Sequence, residues 1–286
     1  MSNKFKLKKH SRNVHSLTFD LPKTSNRQSV MMISDLHWDN PHCNRTLLKR
    51  HLDDAKKRNA PVVIVGDFFC AMEGRGDLRG NRNIRPEHNV PHYLDALIDT
   101  AAKWLEPYYS IIAVIGVGNH ETSVNKRHDT DLTARLCQLI RYKGGIAQEG
   151  GYGGWIRLKF RQHGHNRSNA IYYHHGFGGG SASTRGTGHF VTHYGEQIDG
   201  ADVIVAGHVH YKESVPKMSA RLNHHDRVEQ VTKHCIRLGT YKDEYVDGAF
   251  GFHVEKGRGA RPLGGYYLNF RFLGAKGLKR GVEEII

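Results

Sequence analysis

Five apolar runs in this chain stop at residues able to ligate a metal ion, and no other feature limits the possible folds as strongly. The central run is Pro61-Val62-Val63-Ile64-Val65-Gly66-Asp67. An unbroken apolar stretch of that length reads as a strand buried on both faces. It leaves Asp67 where strand becomes loop, the place at which open α/β sheets hold their ligands. Taken alone, Gly-Asp after a strand also suits a turn or a helix cap.

The other four runs repeat the arrangement. Ser29 to Ser34 is followed by Asp35-Leu36-His37, and residues two apart at an extended strand end project to the same side. The run 110–117 leads into Gly118-Asn119-His120-Glu121, where Asn offers a neutral amide oxygen and His can carry a proton. The segment 170–173 leads into His174-His175-Gly176, whose glycine permits close backbone approach to a ligand. The run 201–206 ends in Gly207-His208-Val209-His210. Buried structural histidines and capping carboxylates could explain any one of these, but they do not explain five together.

Between the strands, residues 46–59, 93–108 and 132–142 carry apolar side chains at helical spacing, and 190–197 suggests a short helix. The first of these completes a β-α-β unit ending at Asp67. Residues 68–91 form a long insertion with Arg75, Arg79, Arg82 and Arg85 and few apolar residues. A solvated loop would look like this, but an insertion this long leaving a ligand site is often functional. Residues 1–28 suit an edge strand or arm. Residues 211–286 alternate apolar and polar, as antiparallel strands of a second sheet layer do. One domain over 1–286 is therefore expected, with a metal-site core at 29–210 and a β-rich part at 211–286.

Composition narrows the function. The 286 residues carry a formal charge of +14, which favours anionic partners, DNA or RNA above all, though solubility alone would also account for it. Cys43, Cys70, Cys137 and Cys235 form no CxxC pair, which suits reduced thiols and argues against a zinc knuckle. No run approaches the roughly 18–20 apolar residues of a membrane span. The Lys-rich start lacks the apolar segment of a secretory signal, so a cytoplasmic protein that engages no membrane is expected.

As a set, Asp-x-His, Gly-Asp, Gly-Asn-His-Glu, His-Gly and Gly-His-x-His resemble the motifs of the calcineurin-like metallophosphoesterase superfamily over residues 30–210. Gly239-Thr240-Tyr241 and the glycines after His175 resemble phage-borne members. The resemblance implies a four-layer α/β/β/α sandwich with two metal ions at the strand ends. One ion would be held by Asp35, His37, Asp67 and His210, the other by Asp67, Asn119, His175 and His208. His174 is the alternative to His175, which is preferred because it directly precedes the small residue. His120 would steady the phosphoryl oxygens or protonate the leaving group. Mixed nitrogen and oxygen donors suit Mn²⁺ foremost, with Fe or Zn²⁺ as alternatives.

One departure is informative. Protein phosphatases of the superfamily continue the bridging motif as Gly-Asp-x-x-Asp-Arg, where this chain has Cys70 and Ala71. A thiol is a poor substitute for a carboxylate beside an imidazole, which argues against a protein phosphatase. The expectation is a metal-dependent phosphodiesterase or nuclease acting on nucleic acid or nucleotides, with the insertion arginines on substrate phosphates. The rivals are a small-molecule or nucleotide phosphomonoesterase, and a nucleic-acid-binding module whose metal site is not catalytic.

Overall fold

A computed structural model of the chain describes residues 5–72, 84–178, 195–223, 225–248 and 252–286 apart from 256 and 258. Its strands form two mixed sheets. One has the order β13 (Leu278–Glu284), β12 (Tyr266–Phe272), β3 (Arg27–Ile33), β4 (Val62–Ile64), β5 (Ile112–Ile115) and β6 (Gln148–Glu149). The other has the order β1 (Phe5–Ser11), β2 (Val14–Asp20), β7 (Gly153–Gln162), β8 (His165–His174), β9 (Val203–Ala206), β11 (Val228–Arg237) and β10 (Glu213–Leu222).

The period of two decides which core each side chain enters. On β3, Val30 and Met32 join a core shared with Ile156, Leu158, Ile171, Val203 and Val205 of the larger sheet, so this core lies between the sheets. Met31 and Ile33 point the other way, into a core shared with the helices. These helices are α1 (Arg45–Arg58), α2 (Tyr93–Leu105) and α4 (Leu132–Tyr142). A strand covered on both faces has no room for a polar residue until it ends, which is why β4, β5, β9 and the Val30–Ile33 half of β3 are continuous apolar runs.

Helix ends follow local chemistry. Asn44 caps α1, its Oδ1 accepting from Leu47 N at 2.9 Å, and Asn59 closes the helix in the left-handed conformation. Helix α3 (Asn119–His128) lacks an apolar stripe, burying only Glu121 and Val124. Its signal in the sequence was Glu121 three residues after Gly118, whose N–H it accepts at 2.8 Å.

One expectation needs revision. The 211–286 region does not form one sheet layer, because β10 and β11 extend the larger sheet beside β9 whereas β12 and β13 extend the smaller beside β3. The fourth layer is left open, since 195–197 are helical and 179–194 lie outside the described residues. Beyond the larger sheet the described residues place a small cluster of Ala201, Ile204 and Cys235 with Trp155, Tyr172, Ile198 and Val215. Most of the helix expected at 190–197 lies outside the described residues. Of residues 1–28, read as an edge strand or arm, 5–20 form a hairpin of β1 and β2 at the edge of the larger sheet, and Arg27 and Gln28 begin β3. No described helix is long and apolar enough to cross a membrane.

Candidate metal centre

The parallel strands β3, β4 and β5 of one sheet and β8 and β9 of the other end at one crevice. Three groups of ligand-type atoms meet there, Asp35 with His37 and His210, Asp67 with His175 and His208, and His37 with Cys70 and His120, the atoms of each lying within 4.8 Å of one another. In the first, His210 Nε2 lies 3.1 Å from Asp35 Oδ1 and His37 Nε2 lies 4.0 Å from it, and the two imidazole nitrogens face each other at 3.3 Å. In the second, His175 Nε2 lies 3.2 Å from Asp67 Oδ2 and 3.1 Å from Asn119 Oδ1, and His208 Nδ1 lies 2.9 Å from Asn119 Oδ1. His120 Nε2 stands 3.7 Å from Asp67 Oδ2.

The backbone is bent into this arrangement at a cost. Asp35, His37, Asp67, His208 and His210 all have φ between 45° and 73°, and they are half of the ten described non-glycine residues with positive φ. Such conformations cost roughly 1–3 kcal/mol each and persist where surrounding contacts fix them, typically at functional sites. The contacts are visible. Thr240 Oγ1 and Tyr241 N both donate to the Asp35 carbonyl, at 2.8 and 3.0 Å, which gives the Gly239-Thr240-Tyr241 segment a role. His208 N donates to Asp35 Oδ2 at 2.9 Å, tying β9 to β3. A Cβ on Gly118 would collide with Asp67 Oδ1 and one on Gly207 with Ser34 Oγ, so glycine is required for these close approaches.

Three imidazoles are aimed by main-chain carbonyls. Because a carbonyl can only accept, the nitrogen facing it carries the proton and the opposite nitrogen faces the site. His175 Nδ1 donates to Val65 O at 2.9 Å, and His208 Nε2 donates to Gly178 O at 2.8 Å. His120 Nδ1 donates to Cys70 O at 2.6 Å. The pair 174/175 separates on strand geometry. His174 ends β8 pointing away from Asp67, and its Nδ1 accepts from Gly176 N at 3.0 Å.

Electrostatics keep the carboxylates charged. Burial opposes ionisation of Asp67, but His175 and His120 overcome it and hold its pKa well below the usual range. Burial likewise opposes Asp35, and His210 outweighs it. His37 is driven well below the ordinary imidazole value by burial and by His120 and His210, so its lone pairs are available. Burial would also lower His175, yet the charge and hydrogen bond of Asp67 carry it up to about 10. In the metal-free chain a proton therefore sits between His175 and Asp67.

Sequence reasoning missed the supporting residues. Glu121 accepts from Phe69 N and Gly118 N, each at 2.8 Å, and so locks the loop after β4 to the loop after β5. Asp39 accepts from Cys70 N at 2.6 Å, Ala71 N at 2.8 Å and Tyr93 Oη at 3.0 Å. Lys242, paired with Glu244 at 2.8 Å, stands near enough to His37 to help depress its pKa. None of these follows a periodic pattern that would mark it in the sequence. Arg85, expected on substrate, instead has Nε and Nη2 donating to the carbonyls of Asn40, Pro41 and Cys43 at 2.9–3.1 Å, bracing the loop after β3. Arg75, Arg79 and Arg82 lie outside the described residues.

No family model matches the sequence, and no curated protein matches it. Among solved structures, the chain is similar to the anchor in the inner membrane complex of Plasmodium, with 10% identity, 90% of this chain and 84% of that chain covered, and a TM-score of 0.43. It is also similar to a conserved uncharacterized protein of Streptococcus pneumoniae described as a predicted phosphoesterase, with 13% identity, 91% and 99% covered, and a TM-score of 0.31. Both scores are too low to bear on what this chain does, so its own residues must carry the functional reading.

Proposed function

We propose that this chain is a metal-dependent phosphoesterase of the calcineurin-like type, with two divalent ions at the strand-end crevice and a phosphodiester, in a nucleic acid or a nucleotide, as substrate. The observation that carries this reading is the pair of ligand groups meeting around Asp67, each built from carboxylate or amide oxygens and inward-facing imidazole nitrogens. The residues fit such ions. Asp35 Oδ1 is buried with His210 Nε2 at 3.1 Å and His37 Nε2 at 4.0 Å, and these two imidazole nitrogens, 3.3 Å apart, leave a place for a cation. The donors mix nitrogen and oxygen, as Mn²⁺, Fe and Zn²⁺ sites do.

Asp35, His37 and His210 would hold one ion, and Asn119, His175 and His208 the other, with Asp67 between them. Bound there, the ions would supply Lewis acidity, acidifying a water and neutralising phosphoryl charge. The chain supplies the rest. His120 presents Nε2 to the site and can hold a proton for the departing oxygen. Glu121 and Asp39 hold the two loops that set the His120–Asp67 separation.

Hydrolysis of bis-p-nitrophenyl phosphate and of p-nitrophenyl phosphate, each with Mn²⁺ and with chelator, tests this reading. Diester hydrolysis that chelator removes supports it. A strong preference for the monoester would replace the substrate class by a phosphomonoester. No activity on either ester with any transition metal would overturn the enzyme reading in favour of a binding module.

A further inference from the structure

The outer face of the larger sheet carries an ordered row of cations. In the register, Lys6 lies opposite Thr18, which lies opposite Lys159, and Lys8 lies opposite Ser16, which lies opposite Arg157. Paired residues share a face. Their neighbours Leu17, Phe19, Leu158 and Phe160 fill the inter-sheet core, so these cations point outward. Arg161 continues the row along β7. Lys6, Lys8, Arg157 and Arg161 are exposed. Asp20 borders the row, 3.4 Å from Lys6 Nζ and 4.0 Å from Arg161 Nη1, and residues 153–174 contain no Asp or Glu.

Spacing and direction identify the occupant. Alternate residues on a strand stand about 6.8 Å apart, so Arg157, Lys159 and Arg161 form a line of charges suited to a chain of phosphates more than to one phosphate group. Between the cation rows stand Thr18 and Ser16, the latter buried with its Oγ 3.0 Å from His10 Nε2. The line also leads somewhere. Residue Gly153 at the other end of β7 lies opposite His174, next to His175 of the metal centre, about 27 Å from Arg161 along the strand. A lipid surface would call for apolar side chains to insert, and Val14 at the rim is the one exposed large apolar residue that the described part of this face offers.

We propose that this face binds the phosphodiester backbone of a nucleic-acid strand and leads it toward the metal centre. The proposal rests on the diesterase reading for its purpose, but its binding test is separate from catalysis. Anisotropy of a fluorescent phosphorothioate single strand would be measured against full-length protein over a range of salt. Arg157→Gln with Arg161→Gln should weaken binding about tenfold or more and lower the salt slope by about 1.4, since each phosphate contact of a single strand contributes about 0.7. The same variant should leave kcat/KM on bis-p-nitrophenyl phosphate within about twofold, which also reports that it is folded. The matched variant Arg50→Gln with Lys57→Gln, on exposed positions of α1, should change binding by less than about twofold.

Equal losses from both variants would show generic charge attraction and overturn the proposal, as would unchanged binding by the β7 variant. Loss of binding to phosphatidylglycerol vesicles without loss of strand binding would assign the face to a membrane instead. Wild-type protein inactive on every ester would sink the catalytic reading while leaving this binding result intact.

Discussion

His120 is oriented by the main-chain carbonyl of Cys70, 2.6 Å from its Nδ1, and not by any carboxylate. The sequence places a thiol where protein phosphatases of the resembled superfamily have an aspartate, a poor substitute beside an imidazole. The backbone performs the orienting role instead, and the thiol is turned to Asn40, whose Nδ2 lies 3.6 Å from Sγ. Burial and the nearby Asp39 push the Cys70 pKa far up, so the side chain stays neutral.

Cys70→Ala should therefore keep kcat on bis-p-nitrophenyl phosphate within about threefold, because the carbonyl remains. His120→Ala should lower kcat by about 10²–10⁴, the usual contribution of a positioned proton donor. Comparable losses from both variants would mean that the thiol, which lies within reach of His37 and His120, takes part in the site.

Gly118 tests how tightly the site is built. Its φ of −109° is open to any residue, so Gly118→Ala adds only a methyl group aimed at Asp67. Overpacking of this kind costs about 1–3 kcal/mol. Thermal unfolding should register that loss, and the Mn²⁺ affinity of the folded variant should drop as Asp67 is displaced. Unchanged affinity would mean that Asp67 is not a ligand.

Glu121 probes the loop lock. Its buried carboxylate accepts two backbone N–H groups, whereas a glutamine would present an NH₂ to one of them. Glu121→Gln should destabilise the fold by about 1–3 kcal/mol, the cost of leaving a buried donor unsatisfied. Burial and Asp67 raise its pKa to about 8 despite these hydrogen bonds. Denaturant unfolding at a fixed pH above 8, where Glu121 is ionised, measures the loss, and no change would mean that the two loops are held by other contacts.

Metal affinity should rise with pH. The proton held on His175 by Asp67 has to leave before an ion can bind, so binding releases about one proton and tightens about tenfold per pH unit below pH 10. The metal-free fold behaves oppositely. A folded-state pKa raised above the ordinary imidazole value stabilises fully below about 6.5, and this contribution fades as pH climbs toward 10. Calorimetric titration of Mn²⁺ in buffers of different ionisation enthalpy counts the protons. Zero protons at neutral pH would contradict the His175–Asp67 pairing.

The candidate ligands were legible in the sequence because strands buried on both faces exclude polar residues until they end, so Asp35, Asp67 and His208 stand out at the ends of apolar runs. The 174/175 choice was less so, since it depends on which side of β8 faces the crevice. Helix α3 was not seen because its faces are polar all round and its stability comes from Glu121 and its neighbours. Partner choice for the C-terminal hairpins was also hidden. Alternation marks β10 through β12 as strands, but nothing local says that β12 pairs with β3 in one sheet while β11 pairs with β9 in the other. The cation row was invisible for the same reason, as Lys6 and Lys159 become neighbours only through the β1-β2-β7 register.

The most direct measurement is a titration of chelator-stripped protein with Mn²⁺, following bound metal and bis-p-nitrophenyl phosphate hydrolysis together, for wild type and Asp67→Asn. Two ions per chain, with activity complete only at the second, is the expected result, and Asp67→Asn should lose activity together with at least one ion. Activity saturating at one ion, or full occupancy and turnover in Asp67→Asn, would contradict a centre built around Asp67.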